Sequence, residues 1–94
     1  MRAKILIVDD DRDILLGLEN RITWMGHEPV TADNGKDALR LIEQGDVDLA
    51  LLDLELPFYS GLEILERVRA ASHSERRTEE AASPPLIVIL TAFG

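Results

Sequence analysis

Residues 4–11 have the sequence KILIVDDD, in which an apolar run stands between Lys4 and three consecutive aspartates. A continuous apolar run bounded by charge is typical of a strand that is buried on both faces of a parallel sheet. After Asp11 the apolar spacing changes to that of an amphipathic helix, with Ile14, Leu15, Leu18, Ile22 and Met25 on one side. Gly26 can end this helix. The segment therefore predicts a strand, a short acidic turn and a first helix.

The same alternation continues along the chain. Glu28–Ala32 predicts a second strand, and the sequence DNG at 33–35 supplies a turn and a helix cap. The second helix carries an apolar stripe and stops at Gly45. Its stripe consists of Ala38, Leu39 and Ile42. Trp24, near the end of the first helix, is expected to pack, and His27 is expected to lie exposed in a turn.

The second half of the chain predicts two more strands. These are Asp48–Asp53, which again ends in an aspartate, and Leu86–Leu90. Between them, Ser60 and Gly61 can open a third helix that runs to roughly residue 71. Residues 72–83 have mixed charge, so they are either a solvated loop or an extension of that helix. Strands alternating with amphipathic helices predict an α/β fold, an open sheet of parallel strands with helices on both faces.

The composition fits one small domain over residues 1–94. The chain has 46% hydrophobic residues, a formal net charge of −8 and no cysteine, so disulfides and thiolate metal sites are excluded. Its longest apolar run is far below the roughly 18 residues of a membrane span. Such an acidic chain is poorly suited to nucleic acids or anionic membranes. We expect a cytoplasmic protein with cationic or basic partners.

Carboxylates follow two of the predicted strands. Asp9 and Asp10 end the first strand and Asp53 ends the third, and the carboxyl ends of parallel strands lie at one edge of a sheet. Their mutual repulsion would be relieved by a hard divalent cation such as Mg²⁺. The alternative is that Asp10 and Asp11 cap the first helix and Asp53 begins a turn.

Four segments together resemble the receiver domain of bacterial two-component response regulators, over nearly the whole chain. They are Ile5–Asp11, Ala32–Gly35 with Ala38, Leu51–Pro57 with Gly61, and Ile89–Ala92. The resemblance implies a flavodoxin-like receiver topology with strand order 2-1-3-4. Receiver domains continue through a fifth strand and two more helices that this chain does not include, so the domain is expected to be incomplete at its C-terminal end.

The resemblance also implies the roles of individual residues. Asp53 would accept a phosphoryl group from a sensor histidine kinase, and Thr91 would donate its hydroxyl to that group. Mg²⁺ would bind to Asp10, Asp53 and the main-chain carbonyl of Glu55, with Asp9 contributing through water. An output domain in a longer protein is a further expectation.

Two other functions stay open. The first is a receiver-like interaction module that is defective in phosphorylation and dimerises or binds partners through the exposed edge of the fourth strand. The second is a magnesium-dependent phosphohydrolase, which has less support because no acid-base residue follows Asp53 at a telling position. The leading interpretation is a signalling switch rather than an enzyme. Phe58 and Tyr59 are expected to pack locally in their loop.

Overall fold

A computed structural model describes residues 2–54, 56, 59–72 and 85–90. Its elements are β1 (Lys4–Val8), α1 (Arg12–Trp24), β2 (Glu28–Ala32), α2 (Gly35–Glu43), β3 (Leu49–Asp53), α3 (Gly61–Ser72) and β4 (Leu86–Leu90). Every predicted strand and helix is present, and the bounds shift by about one residue. In particular, β1 ends at Val8 instead of Asp9. Residues 73–83 of the predicted solvated segment lie outside the described residues.

The described strands form one parallel sheet in the order β2-β1-β3-β4. This confirms the predicted topology. The register pairs Val8 of β1 with Ala32 of β2 and with Leu52 of β3. The carboxyl ends of these three strands are therefore level with one another.

Helices cover both faces of the sheet, and the strand residues alternate between two cores. Leu6 and Val8 belong to a larger core, which also contains buried residues of α2 and α3 such as Ile42 and Ile64. The other core contains Ile5 and Ile7 of β1 with Leu15 and Ile22 of α1. Because β1 contributes to both cores, its apolar run has no polar interruption.

Only part of the predicted apolar side of α1 is buried. Leu15 and Ile22 contact the sheet, whereas Ile14, Met25 and Trp24 are exposed, Trp24 to 88%. The expectation that Trp24 packs was therefore wrong. The main contacts of α1 are with β1 and β2, and Leu49 and Leu51 of β3 pack against the same core.

The turn after α1 differs from its prediction in one respect. Gly26 adopts a φ of 90°, which ends α1 as expected. His27, however, is half-buried, and its Nδ1 accepts a hydrogen bond from the Ala3 N–H at 3.0 Å. The expected solvent exposure of His27 was wrong because this bond joins the turn to the residue before β1.

Among the described helices, none is long and apolar enough to cross a membrane.

Candidate metal centre

The sheet register brings the predicted carboxylates together. Val8 pairs with Leu52, so Asp9 and Asp53 follow at neighbouring positions on adjacent strands. Asp10 begins the turn into α1 beside them. One carboxylate oxygen from each of Asp9, Asp10 and Asp53 lies within 4.8 Å of the others. We call these three residues the acidic centre.

Asp9 is the buried member of the acidic centre, with 8% of its surface exposed. Its Oδ1 accepts a hydrogen bond from the Asp11 N–H at 2.9 Å, which favours the charged carboxylate. Burial opposes that effect and raises the pKa of Asp9, and the nearby charges of Asp53, Asp10 and Asp11 raise it further. The negative charge concentrated here therefore lowers the stability of the folded chain.

The capping alternative describes Asp11 and not Asp10. Asp11 is the N-cap of α1, and its side chain accepts hydrogen bonds from the N–H groups of Asp13 and Ile14 at 2.9 and 3.3 Å. Asp10 is exposed and belongs to the acidic centre. The predicted cap at Asp10 was wrong because only the carboxylate of Asp11 reaches the free N–H groups of the helix.

The donor set of the acidic centre suits a hard cation. Carboxylate oxygens are the ligands that Mg²⁺ uses in proteins, and Mg²⁺ usually keeps several waters in addition. Among the described residues, no ion pair includes Asp9 or Asp10. A divalent cation would therefore neutralise the negative charge of these two carboxylates, which no basic side chain among the described residues neutralises. Glu55 and Thr91, the other predicted site residues, lie outside the described residues.

Comparison of this chain with known protein families and proteins agrees with this geometry. The family model of the response regulator receiver domain matches residues 5–93. The chain belongs to this family. The Bacillus subtilis sporulation initiation phosphotransferase F is 34% identical over 94 residues, which are 100% of this chain and 68% of that protein. The chain spans only about a third of several longer transcriptional regulators that it matches.

Solved receiver domains have the same fold. The Thermotoga maritima response regulator TrrA, in complex with Mg²⁺-BeF, is 35% identical with a TM-score of 0.76, and the match covers 97% of this chain and 70% of that one. TrrA in complex with the histidine kinase ThkA matches at 35% identity and a TM-score of 0.74, over 98% of this chain and 71% of TrrA. The receiver-domain assignment and its parallel α/β topology are thus confirmed.

Sequence reasoning assigned no functional role to Gly35, which lies against Tyr59, or to Gly61, which lies against the Asp53 backbone. Gly35 was predicted only as part of a turn and Gly61 as the start of a helix, yet both make close backbone contacts around the β3–α3 connection. No local sequence pattern could indicate these contacts, because they join segments that are distant along the chain.

Proposed function

We propose that this receiver domain accepts a phosphoryl group on Asp53 from a sensor histidine kinase and binds Mg²⁺ at the acidic centre. The supporting observation is the convergence of Asp9, Asp10 and Asp53, whose oxygens lie within 4.8 Å. A carboxylate is a competent nucleophile for phosphoryl transfer. Phosphoryl transfer depends mainly on positioning and on neutralising the transferred oxygens.

Each carboxylate of the acidic centre has a distinct part in this proposal. A carboxylate oxygen of Asp53 forms a bond to phosphorus while the bond from phosphorus to the donor nitrogen breaks, and that electron pair stays on the donor imidazole. Asp10, together with Asp53, would bind the cation directly, and Asp9 would contribute through water. When bound, Mg²⁺ supplies positive charge to the phosphoryl oxygens. The Glu55 carbonyl and the Thr91 hydroxyl are proposed as additional contacts to the cation and the phosphoryl group.

Intact mass spectrometry tests the proposal. The chain is incubated with Mg²⁺ and a small phosphodonor such as acetyl phosphate, and its mass is measured. We expect a labile gain of one phosphoryl group, about 80 Da, that is lost in Asp53→Asn and in EDTA. Asp46→Asn is the matched control, because Asp46 is exposed and pairs instead with Lys4 at 3.4 Å.

The outcomes separate the candidate functions. No mass gain in the wild-type chain, or the same gain in Asp53→Asn, would contradict phosphoryl transfer to Asp53. Phosphate release far beyond one equivalent would favour the phosphohydrolase alternative. We also propose that the donor is a histidine kinase, supported by the complex of the similar protein TrrA with ThkA. The similarity to longer transcriptional regulators supports the further proposal that an output domain is present in a longer protein.

The interaction-module alternative has one supporting observation. Leu86 and Val88 on β4 are exposed to 69% and 39%, and they lie on one face of the sheet beside Leu49 and Leu51 of β3. If this surface mediates self-association, light scattering should give a dimer mass that Val88→Lys abolishes. A monomer at high concentration would contradict that alternative.

A further inference from the structure

Tyr59, which lies between β3 and α3, is in close contact with the start of α2. Gly35, the first residue of α2, is buried against Tyr59. A Cβ atom at position 35 would overlap the carbonyl oxygen of Tyr59 and would lie 2.7 Å from its Cβ and 2.8 Å from its carbonyl carbon. The carbonyl group belongs to the backbone, so no side-chain rotation relieves this overlap. Any side chain at position 35 must displace either α2 or the loop.

Tyr59 is also held from α3. The guanidinium of Arg67 lies 4.5 Å from the centre of the Tyr59 ring, within the range of a cation–π interaction. Tyr59 is therefore fixed between its backbone contact with α2 and its ring contact with α3. Tyr59 therefore packs as expected, but its contacts among the described residues are with α2, α3 and the larger core and not within its own loop. Phe58 lies outside the described residues.

The first residue of α3, Gly61, lies close to the end of β3. The Gly61 N–H donates a hydrogen bond to the Leu54 carbonyl at 3.3 Å. A Cβ atom at Gly61 would lie 2.8 Å from the carbonyl oxygen of Asp53. Gly61 follows Tyr59 by two residues, so only Ser60 separates the residue that contacts α2 from the residue that contacts the Asp53 backbone.

We infer that Gly35 and Tyr59 are positioning residues, through which the N-terminus of α2 determines where the Asp53 carboxylate stands in the acidic centre. Neither residue belongs to the acidic centre itself. The inference rests on the proposed Mg²⁺ site. It adds to that site a contact from a helix that contributes no ligand. Substitution of a group that hydrogen-bonds to a metal ligand weakens metal binding about 10-fold to 100-fold, and we expect an effect at the lower end because Gly35 and Tyr59 act through Gly61.

Isothermal titration calorimetry with Mg²⁺ tests the inference on the 94-residue chain. Gly35→Ala and Tyr59→Ala should weaken Mg²⁺ binding, raising the dissociation constant about tenfold. Tyr59→Phe keeps the ring over Arg67 and should restore nearly wild-type affinity. Gly17→Ala is the matched glycine control, because a Cβ at Gly17 meets nothing within 4 Å. Amide resonances of Leu54 and Gly61 should shift in Gly35→Ala and remain in place in Gly17→Ala.

The results distinguish this inference from the proposed function. If the wild-type chain binds no Mg²⁺, the proposed site itself is wrong. If the wild-type chain binds Mg²⁺ and folded Gly35→Ala binds it equally well, the positioning role is overturned. Should Gly35→Ala fail to fold, Tyr59→Ala decides whether the Tyr59 ring has a positioning role. Tyr59 is only partly buried against the larger core, so folding of this variant is checked by circular dichroism, and unchanged Mg²⁺ affinity of the folded variant overturns the inference.

Discussion

The acidic centre predicts that removing a negative charge stabilises the metal-free chain. Asp10 lies within 4.8 Å of the oxygens of Asp9 and Asp53, so Asp10→Asn removes two repulsive pairs and leaves the side-chain shape nearly unchanged. At that distance a pair of like charges costs about 1 kcal/mol in bulk water and about 3 kcal/mol at an effective dielectric constant near 20. Asp10 is exposed, so the lower value applies. We expect a total stabilisation of about 1–2 kcal/mol.

Urea unfolding in EDTA at pH 7 and low ionic strength measures this effect. With a slope of about 1 kcal/mol per molar urea for a small domain, the midpoint of Asp10→Asn should rise by about 1–2 M. Adding 0.5 M KCl should reduce the difference, because salt screens an exposed charge. Saturating Mg²⁺ should reverse the ranking, since the wild-type chain gains binding free energy that the variant largely lacks.

The control is Glu43→Gln, which makes the same change in net charge at an exposed residue at the end of α2. An ordinary surface substitution changes stability by at most about 0.5 kcal/mol. The reasoning is refuted if Asp10→Asn is no more stable than Glu43→Gln in EDTA. Equal stabilisation of the wild-type chain and Asp10→Asn by Mg²⁺ would refute the cation site.

Three further predictions concern stability and are measured by urea unfolding. Leu52→Ala should lower the free energy of unfolding by about 2–5 kcal/mol, because Leu52 is fully buried in the larger core. Leu86→Ala, at an exposed site, should lower it far less, and equal losses would contradict the core assignment. Asp11→Ala should cost about 1 kcal/mol by leaving N–H groups at the start of α1 without their cap, and Asp11→Asn should recover most of it. Burial and neighbouring charges raise the pKa of Asp9 above its usual value of 3.8, so the folded chain holds that proton more tightly than the unfolded chain. In EDTA the wild-type chain should therefore lose stability relative to Asp9→Asn as the pH rises from about 3.8 through the folded pKa, and a constant difference between the two chains would contradict this reasoning.

The elements of this fold were predictable because each has a local signal. A strand buried on both faces needs an uninterrupted apolar run, and Ile5–Val8 is such a strand. Leu86–Leu90 has the same kind of run and forms β4, although Leu86 and Val88 are exposed. Asp11 and Asn34 are residue types that cap helices, and both do so here. The acidic centre followed from the same reasoning, since parallel strands that end in aspartates bring those carboxylates to one edge.

The exposed side of α1 could not be predicted from periodicity. Helical spacing groups Ile14 and Met25 with Leu15 and Ile22, but it does not state how wide a strip of the helix the sheet covers. The position of α1 over β1 and β2 leaves Ile14 at 46% and Met25 at 60% exposure. Burial depends on where the helix axis lies, and that is a property of packing.

The amino-acid sequence alone determined the number and order of the elements, the acidic character of the chain and the residues that form the acidic centre, because apolar spacing and side-chain chemistry act over a few neighbouring residues. Only the tertiary structure decided that Asp9 is the buried carboxylate, that Asp11 and not Asp10 caps α1, and that Gly35 lies against the backbone of Tyr59. These outcomes depend on distances between segments that are far apart along the chain. Such distances are set by the joint packing of the sheet and its helices.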